Sequence, residues 1–95
     1  MAKYVSLLKF TQQGVHSLKD SSARAAAFGK AAEQAGVKVE AQLWTAGEYD
    51  GILILSADDE TKVLATIAKL AALGNVQTHT LQAFDATQFA AIVGK

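Results

Sequence analysis

Apolar runs of strand length alternate along the chain with segments of helical periodicity. The predicted strands are residues 4–10, 37–45, 51–57 and 75–84. One predicted helix follows the N-cap-rich residues 17–22 and runs to about Ala35, and a second is capped by residues 58–61 and ended by Gly74. The order strand, helix, strand, strand, helix, strand predicts an α+β, ferredoxin-like βαββαβ fold. We expect one domain over residues 1–95, with a short C-terminal helix after the fourth strand.

A short polar segment in the middle of the chain, Gly47-Glu48-Tyr49-Asp50, separates the second and third predicted strands. Two strand-like runs joined by a few residues that include Gly and Asp are typical of a β-hairpin. We expect Gly47 to adopt an unusual backbone conformation, Asp50 to bond to amides of the turn, and Tyr49 to pack across the hairpin. The alternative is an acid–base group formed by Glu48, Tyr49 and Asp50 at the mouth of a cavity.

The hydrophobic pattern of each strand predicts its place in the sheet. Val39 and Leu43 alternate with polar residues and with Trp44, so we expect Trp44 on the face opposite Val39 and Leu43. The third strand is apolar at every position from 52 to 55, which is typical of an interior strand. The fourth strand mixes polar and apolar residues, which favours an edge. The expected strand order is 4-1-3-2.

Residues that favour helix ends bracket the predicted helices. Residues 17–22 and 58–61 are rich in N-cap types, and Asp85 and Gln88 have the spacing of a capping box for the C-terminal helix. Residues 11–14 are expected to form a polar loop. The apolar faces expected for the three helices are, in chain order, Ala25, Phe28, Ala32 and Ala35, then Val63, Leu64, Ile67, Leu70 and Ala71, then Phe89, Ile92 and Val93.

Two helices can cover only one face of a four-stranded sheet, so the other face needs a partner. Leu8 and Phe10 lie on one face of the first strand and Val5 and Leu7 on the other, so either orientation leaves large apolar side chains uncovered. Soluble monomers rarely expose an apolar patch larger than roughly a few hundred Å². We therefore expect a homodimer formed through the open sheet face, or an assembly of such dimers.

The composition restricts the binding partners and the cellular compartment that we expect. The chain has nine basic and nine acidic residues, so its formal net charge is zero. With no basic stripe, neither nucleic acid nor an anionic membrane is an expected partner. The lack of cysteine excludes disulfides, thiolate metal ligands and a cysteine nucleophile. No stretch has the apolar length of a signal peptide or a membrane helix, and we expect a cytoplasmic protein.

Three segments together resemble the GYD domain family of small bacterial and archaeal proteins. They are residues 4–14, the segment Gly47-Glu48-Tyr49-Asp50, and Leu73-Gly74-Asn75-Val76. The resemblance implies a dimeric α/β-barrel in which two ferredoxin-like sheets face each other and can enclose a cavity. It implies little chemistry, because the family has no well-established common activity. Gln77 and His79 stand where the family pattern leads us to expect an arginine and a glutamate, so the chain lacks that charged pair.

The candidate ligand-binding residues are those expected near a cavity between facing sheets. They are His79, Trp44, Gln42, Tyr49 and Phe10. His79 would lie beside Trp44 or Gln42, where an imidazole can carry a proton near neutral pH or bind a cofactor. The alternative for His79 is an exposed histidine on an edge strand. Trp44 and Phe10 are either anchors of the dimer interface or walls of an aromatic ligand site.

The other polar residues favour structural roles. Gly47, Glu48 and Asp50 are assigned to the turn. His16 is expected to be a solvated histidine before the first helix, and two histidines without a spaced carboxylate cluster do not form a metal-site signature. We expect no metal and no cofactor.

Three functions are compatible with the sequence. The leading hypothesis is a homo-oligomer of uncharacterised activity that binds a small apolar or aromatic ligand between facing sheets. The second is an enzyme, because similar barrels include cofactor-independent monooxygenases and haem-handling enzymes. The third is a structural assembly module whose interface is filled by side chains.

Overall fold

The computed structural model describes residues 2–94, which form four strands and four α-helices. In chain order the elements are β1 (Ala2–Phe10), α1 (Gln12–His16), α2 (Ser21–Gln34), β2 (Lys38–Trp44), β3 (Gly51–Ala57), α3 (Glu60–Ala72), β4 (Val76–Ala83) and α4 (Ala86–Val93). A single 3-10 turn, Leu18–Asp20, joins α1 to α2. The predicted α+β class is confirmed, and the arrangement is consistent with a ferredoxin-like fold.

The strands form one antiparallel sheet in the order β2-β3-β1-β4. This is the predicted order 4-1-3-2 seen from the other edge. The all-apolar strand β3 is interior, as its lack of alternation predicts, and β4 is an edge strand. In β1, Tyr4 lies opposite Leu55 of β3, and Leu7 lies opposite Ile52. Opposite residues of an antiparallel pair share a face, so this register assigns every β1 and β3 side chain to one side of the sheet.

The helices α2 and α3 cover the face that carries Tyr4 and Leu55. The buried apolar core consists of Tyr4, Ala32, Val37, Leu53, Leu55, Ala57, Val63 and Ile67. Each large side chain in this core stabilises the fold by about 1.5–3 kcal/mol relative to exposure. Ser6 is also fully buried, and its hydroxyl is within 3.1 Å of the Thr80 hydroxyl on β4. Leu64 and Ala71 were predicted for the buried face of α3, but both are exposed.

A β-bulge interrupts β2 at Glu40. Val39 pairs with Leu55, and Ala41 pairs with the adjacent residue Ile54, so Glu40 is an extra residue in β2. Its carboxylate lies 3.7 Å from the Lys3 ammonium. Beyond this extra residue, each side chain of β2 lies on the face opposite to the one that strict alternation from Val39 predicts.

The bulge corrects one prediction about β2. Trp44 pairs with Gly51, and Leu43 pairs with Ile52. Trp44 therefore lies on the helix-covered face together with Val39, and Leu43 lies on the open face. The prediction that placed Trp44 opposite both Val39 and Leu43 was wrong, because strict alternation does not account for an inserted residue.

The predicted loop at residues 11–14 was also wrong, because these residues open the short helix α1. The hydroxyl of Thr11 accepts a hydrogen bond from the Gly14 amide at 3.1 Å and caps this helix. His16 is exposed at the end of α1. Part of the N-cap-rich segment forms the 3-10 turn, and α2 begins within that segment at Ser21.

The caps predicted for α3 and α4 are confirmed. Asp59 accepts a hydrogen bond from the Thr61 amide, and Asp85 and Gln88 form the reciprocal capping box. The apolar side of α4 is not buried in the domain, since Phe89 is 56% exposed, Ile92 51% and Val93 64%.

Candidate functional site

A pocket of about 420 Å³ lies between α2, α3 and the sheet. Phe10 and Leu53 form part of its sheet wall, Phe28 comes from α2, Leu70 comes from the second half of α3, and Leu73 directly follows α3. This volume falls within the range of about 300–1,000 Å³ that is usual for small-molecule sites. The pocket therefore has the size and the apolar walls of a ligand site.

The composition of α2 explains why this space is open. The alanines of α2 that line the pocket are Ala25, Ala27, Ala31 and Ala32. Phe28 is the one large apolar side chain that the described part of this helix adds to the wall. An alanine methyl group is too short to reach across to α3, so the two helices contact the sheet and leave a gap between them.

Two polar side chains of β2 cross from the sheet to α2. The indole N–H of Trp44 donates to the Ser21 hydroxyl at 3.0 Å, and the side-chain amide of Gln42 donates to the Ala25 carbonyl at 3.1 Å. These bonds fasten β2 to the first half of α2 beside the pocket. Trp44 is 53% exposed, so its indole stands at the mouth of the pocket.

Three charged side chains line the pocket: Arg24, Asp50 and Lys69. Asp50 accepts a hydrogen bond from the Phe10 amide at 2.9 Å, so its carboxylate is bound to the backbone of β1. Arg24 is half-buried, and its Nη1 donates to the Ser17 carbonyl at 2.7 Å and to the Ser17 hydroxyl at 3.1 Å. Lys69 is exposed in the last turn of α3.

The three segments that carry the family resemblance meet at one end of β1. The Thr11 amide donates to the Asn75 carbonyl at 3.1 Å, and the Gln13 side chain donates to the Leu73 carbonyl at 2.9 Å. The Asp50 amide donates to the Leu8 carbonyl at 2.8 Å. Separate parts of the chain are thus joined at this end, where Phe10, Asp50, Leu73, Asn75 and Val76 also line the pocket.

A second group of polar side chains lies on the open face of the sheet. The rings of Tyr49 and His79 meet edge to face with centroids 5.8 Å apart, and the Lys9 ammonium lies 5.3 Å from the Tyr49 ring centroid. Tyr49 therefore extends from the hairpin over β1 and β4. Asp50 likewise bonds to the amide of Phe10 on β1, where an amide of the turn was expected. Gly47 has a φ of +147°, a conformation that favours glycine, and Glu48 is exposed.

The five candidate ligand-binding residues separate into two groups on opposite faces. Trp44, Gln42 and Phe10 lie on the helix-covered face and line the pocket. Tyr49 and His79 lie on the open face and contact each other. The expectation that His79 lies beside Trp44 or Gln42 was wrong, because the bulge at Glu40 turns Gln42 and Trp44 to the other side of the sheet.

Sequence reasoning missed the residues that complete the pocket. Arg24 lies four positions before Phe28 and seven positions before Ala31, so it shares a helix face with both. A cation beside an apolar helix face was the available signal for Arg24. Thr66 lies four positions before Leu70, and Lys69 lies four positions before Leu73. Nothing in the pattern says that a gap separates the two helices.

The buried phenol of Tyr4 is a separate structural feature. Burial raises the pKa of Tyr4, and the hydrogen bond that its hydroxyl donates to Glu60 at 3.1 Å raises it further. This bond joins β1 to the first turn of α3. Within residues 2–94, no group of three or more His, Asp or Glu side chains is placed to hold a metal ion.

The fold and the pocket define a small α+β protein with helices on one face of an antiparallel sheet and an apolar pocket beneath them. This chain belongs to the GYD domain family, whose family model matches residues 4–93 and so covers nearly the whole chain. The resemblance inferred from the three segments is confirmed. No curated protein and no solved structure matches the chain. None of the helices in the described part of the chain is long and apolar enough to cross a membrane.

Proposed function

We propose that the protein binds a small apolar ligand in the pocket between α2, α3 and the sheet. The observation that supports this function is the open volume of about 420 Å³ with mainly apolar walls. Protein interiors are usually packed as densely as organic crystals, with few voids larger than a water molecule. A gap of this size in a domain of 95 residues therefore favours a ligand site over a packing defect.

The position of the pocket changes the leading hypothesis from the sequence in one respect. The ligand was expected between two facing sheets, and the proposed site lies on the helix-covered face of a single chain. Burial of apolar ligand surface would supply the affinity, at about 25 cal/mol per Å² removed from water. Polar groups at the mouth, such as Gln42 and Asn75, would orient the ligand.

The binding proposal can be tested with 1-octanol as a neutral probe and Trp44 as the reporter. Trp44 is the one tryptophan of the chain and lines the pocket, so its fluorescence reports directly on this site. We expect saturable binding to the natural sequence. Ala25→Phe places a ring in the pocket wall and should weaken binding at least about tenfold.

The matched control is Ala26→Phe, because Ala26 is an exposed residue of the same helix that does not line the pocket. This variant should bind 1-octanol as the natural sequence does, with circular dichroism showing that both variants fold. Equal binding by both variants would place the probe elsewhere on the protein. An absence of saturable binding to the natural sequence would contradict the proposed function.

We also propose that two copies pair through the open sheet face. The aliphatic side chains on this face are Val5, Leu7, Leu43, Ile52, Ile54 and Leu81. The outer two remain the most accessible, since Leu43 is 54% and Leu81 55% exposed. A second copy would remove these side chains from water and would also enclose the Tyr49–His79 pair.

Native mass spectrometry of gently purified protein tests this pairing and also detects any ligand that co-purifies. We expect a dimer or a multiple of dimers. Ile54→Lys places a charge at the centre of the open face and should give monomers, because an unpaired buried charge is costly. Leu64→Lys is the control, since Leu64 is exposed on α3 away from this face. A natural sequence that stays monomeric at micromolar concentration would contradict the dimer.

A further inference from the structure

We propose that the ligand of the pocket is an apolar monocarboxylic acid whose carboxylate is bound by Arg24. This inference rests on the proposed function, since it assigns a chemical class to the ligand of the same pocket. It follows from the position of one half-buried cation in the wall of a mainly apolar space.

The guanidinium of Arg24 is held in place and still has donors to offer. Its Nη1 donates to the carbonyl and the hydroxyl of Ser17, the residue before the 3-10 turn, and these bonds fix one side of the group. No residue between 2 and 94 accepts a hydrogen bond from its Nε or Nη2, and the ion pair found in that range joins Lys3 and Glu40. A planar guanidinium with free donors on one edge matches the two oxygens of a carboxylate.

Of the three charged side chains that line the pocket, Arg24 is the one best placed to bind an anion. Asp50 is already bonded to the Phe10 amide and would repel an anion, so the carboxylate should lie away from it. Lys69 is exposed and can be neutralised by solvent ions, whereas Arg24 is half-buried. A cation that is partly removed from water gains more from an anionic partner than an exposed one does.

The apolar part of the wall disfavours a second charged group on the ligand. Phe28, Leu53, Leu70 and Leu73 present apolar surface, and a second carboxylate or a phosphate placed among them would lose its hydration without a partner. The ligand class is therefore an acid with one carboxylate and an aliphatic or aromatic body.

Calorimetric titration with octanoate, 1-octanol and octylamine at neutral pH tests the inference on the natural sequence. The three probes share one alkyl chain and differ in the head group. We expect octanoate to bind about tenfold or more tightly than 1-octanol, because a hydrogen bond between charged groups is stronger than one to a neutral group. Octylamine should bind most weakly, since its ammonium would face Arg24.

Substitutions then identify the residue that binds the head group of the probe. Arg24→Gln should abolish the preference for octanoate over 1-octanol, whereas Arg24→Lys should keep part of it. Lys69→Gln is the matched control and should retain most of the preference. If Arg24→Gln does not fold, the comparison of the three probes on the natural sequence and on Arg24→Lys still decides the question.

The outcomes separate this inference from the proposed function. Equal binding of octanoate and 1-octanol to the natural sequence would overturn the carboxylate class while leaving apolar binding intact. Loss of the preference in Lys69→Gln but not in Arg24→Gln would overturn the role of Arg24. Failure of all three probes to bind would overturn both the inference and the proposed function.

Discussion

Gly14 is a residue at which two distant segments of the chain approach closely. It is buried in α1, and a Cβ atom at this position would overlap the carbonyl oxygen of Asn75, the residue just before β4. The hydrogen bond from Thr11 to Asn75 and the two bonds from Gln13 to Leu73 and Asn75 hold α1 in this position. The lack of a side chain at residue 14 is therefore a packing requirement.

Gly14→Ala should destabilise the protein by about 1–3 kcal/mol, the usual cost of overpacking a fitted site. The obstructing atom belongs to the backbone, so it cannot rotate away as a side chain would. Urea denaturation measures the change in the free energy of unfolding. Gln12→Ala, an exposed neighbour in the same helix, should change it by less than about 0.5 kcal/mol. Equal stability of the two variants would contradict the predicted overlap.

The carboxyl group of Asp59 makes the free energy of unfolding depend on pH in the acidic range. The hydroxyl of Thr61 donates to its carboxylate at 2.7 Å and the Thr61 amide at 2.9 Å, and these bonds hold the pKa of Asp59 below its usual value of 3.8. The unfolded chain therefore takes up this proton at a higher pH than the folded chain does. The contribution of Asp59 to stability is complete above pH 3.8 and is lost as the pH falls through its folded pKa.

The expected result is a stability difference between the natural sequence and Asp59→Ala that is constant near neutral pH and shrinks below pH 3.8. Urea denaturation at a series of pH values measures this difference. Asp58→Ala is the control, because no described residue donates a hydrogen bond to the Asp58 side chain. A difference for Asp59→Ala that persists unchanged into strong acid would rule out this linkage.

At the scale of single elements, α4 combines a well-formed cap with an unpacked apolar side. The capping box of Asp85 and Gln88 stabilises the start of the helix, with both bonds at 2.8 Å. Phe89, Ile92 and Val93 nevertheless remain more than half exposed. The formation of α4 is thus local, and its apolar side adds little to the packing of the single chain.

The double substitution Phe89→Ser with Ile92→Ser should therefore change the free energy of unfolding by less than about 0.5 kcal/mol. Leu55→Ala, in the fully buried core, should cost about 2–5 kcal/mol and serves as the reference. Chemical denaturation under conditions that keep the chain monomeric measures both. A loss for the α4 variant as large as that for Leu55→Ala would mean that α4 packs against the domain.

Two features, the helix α1 and the bulge in β2, could not be predicted from sequence patterns. The helix α1 has five residues and no apolar periodicity, so the sequence predicted a loop at residues 11–14. Side chains of Thr11 and Gln13 bond to residues 73–75, about 60 positions away in the chain, and no local pattern shows such contacts. The bulge in β2 is equally hidden, because the letters on either side of Glu40 alternate as they would in a regular strand. Helix caps, by contrast, depend on neighbours in sequence, and those of α3 and α4 were predicted correctly.

At the scale of the whole molecule, the order of elements and the strand order followed from the sequence, because the hydrophobic period and the all-apolar β3 reflect burial directly. The pocket did not follow from it. A pocket is space that side chains leave empty, and the alanines of α2 are equally compatible with a helix that packs tightly on the sheet. Its position also depends on how far α2 lies from α3, which no local pattern encodes.

The bulge at Glu40 also has a consequence for how proteins of this type can diverge. Loss of the single codon for Glu40 would remove only the extra residue and leave Val39 and Ala41 opposite the adjacent residues Leu55 and Ile54, in a regular ladder. Gln42 and Trp44 would stay on the pocket side of β2, and Leu43 would stay on the open face. Loss of one codon at Gln42 or Leu43 would instead move the side chains beyond it to the opposite face. Lineages should therefore tolerate a difference in length at residue 40 better than at residues 42 or 43.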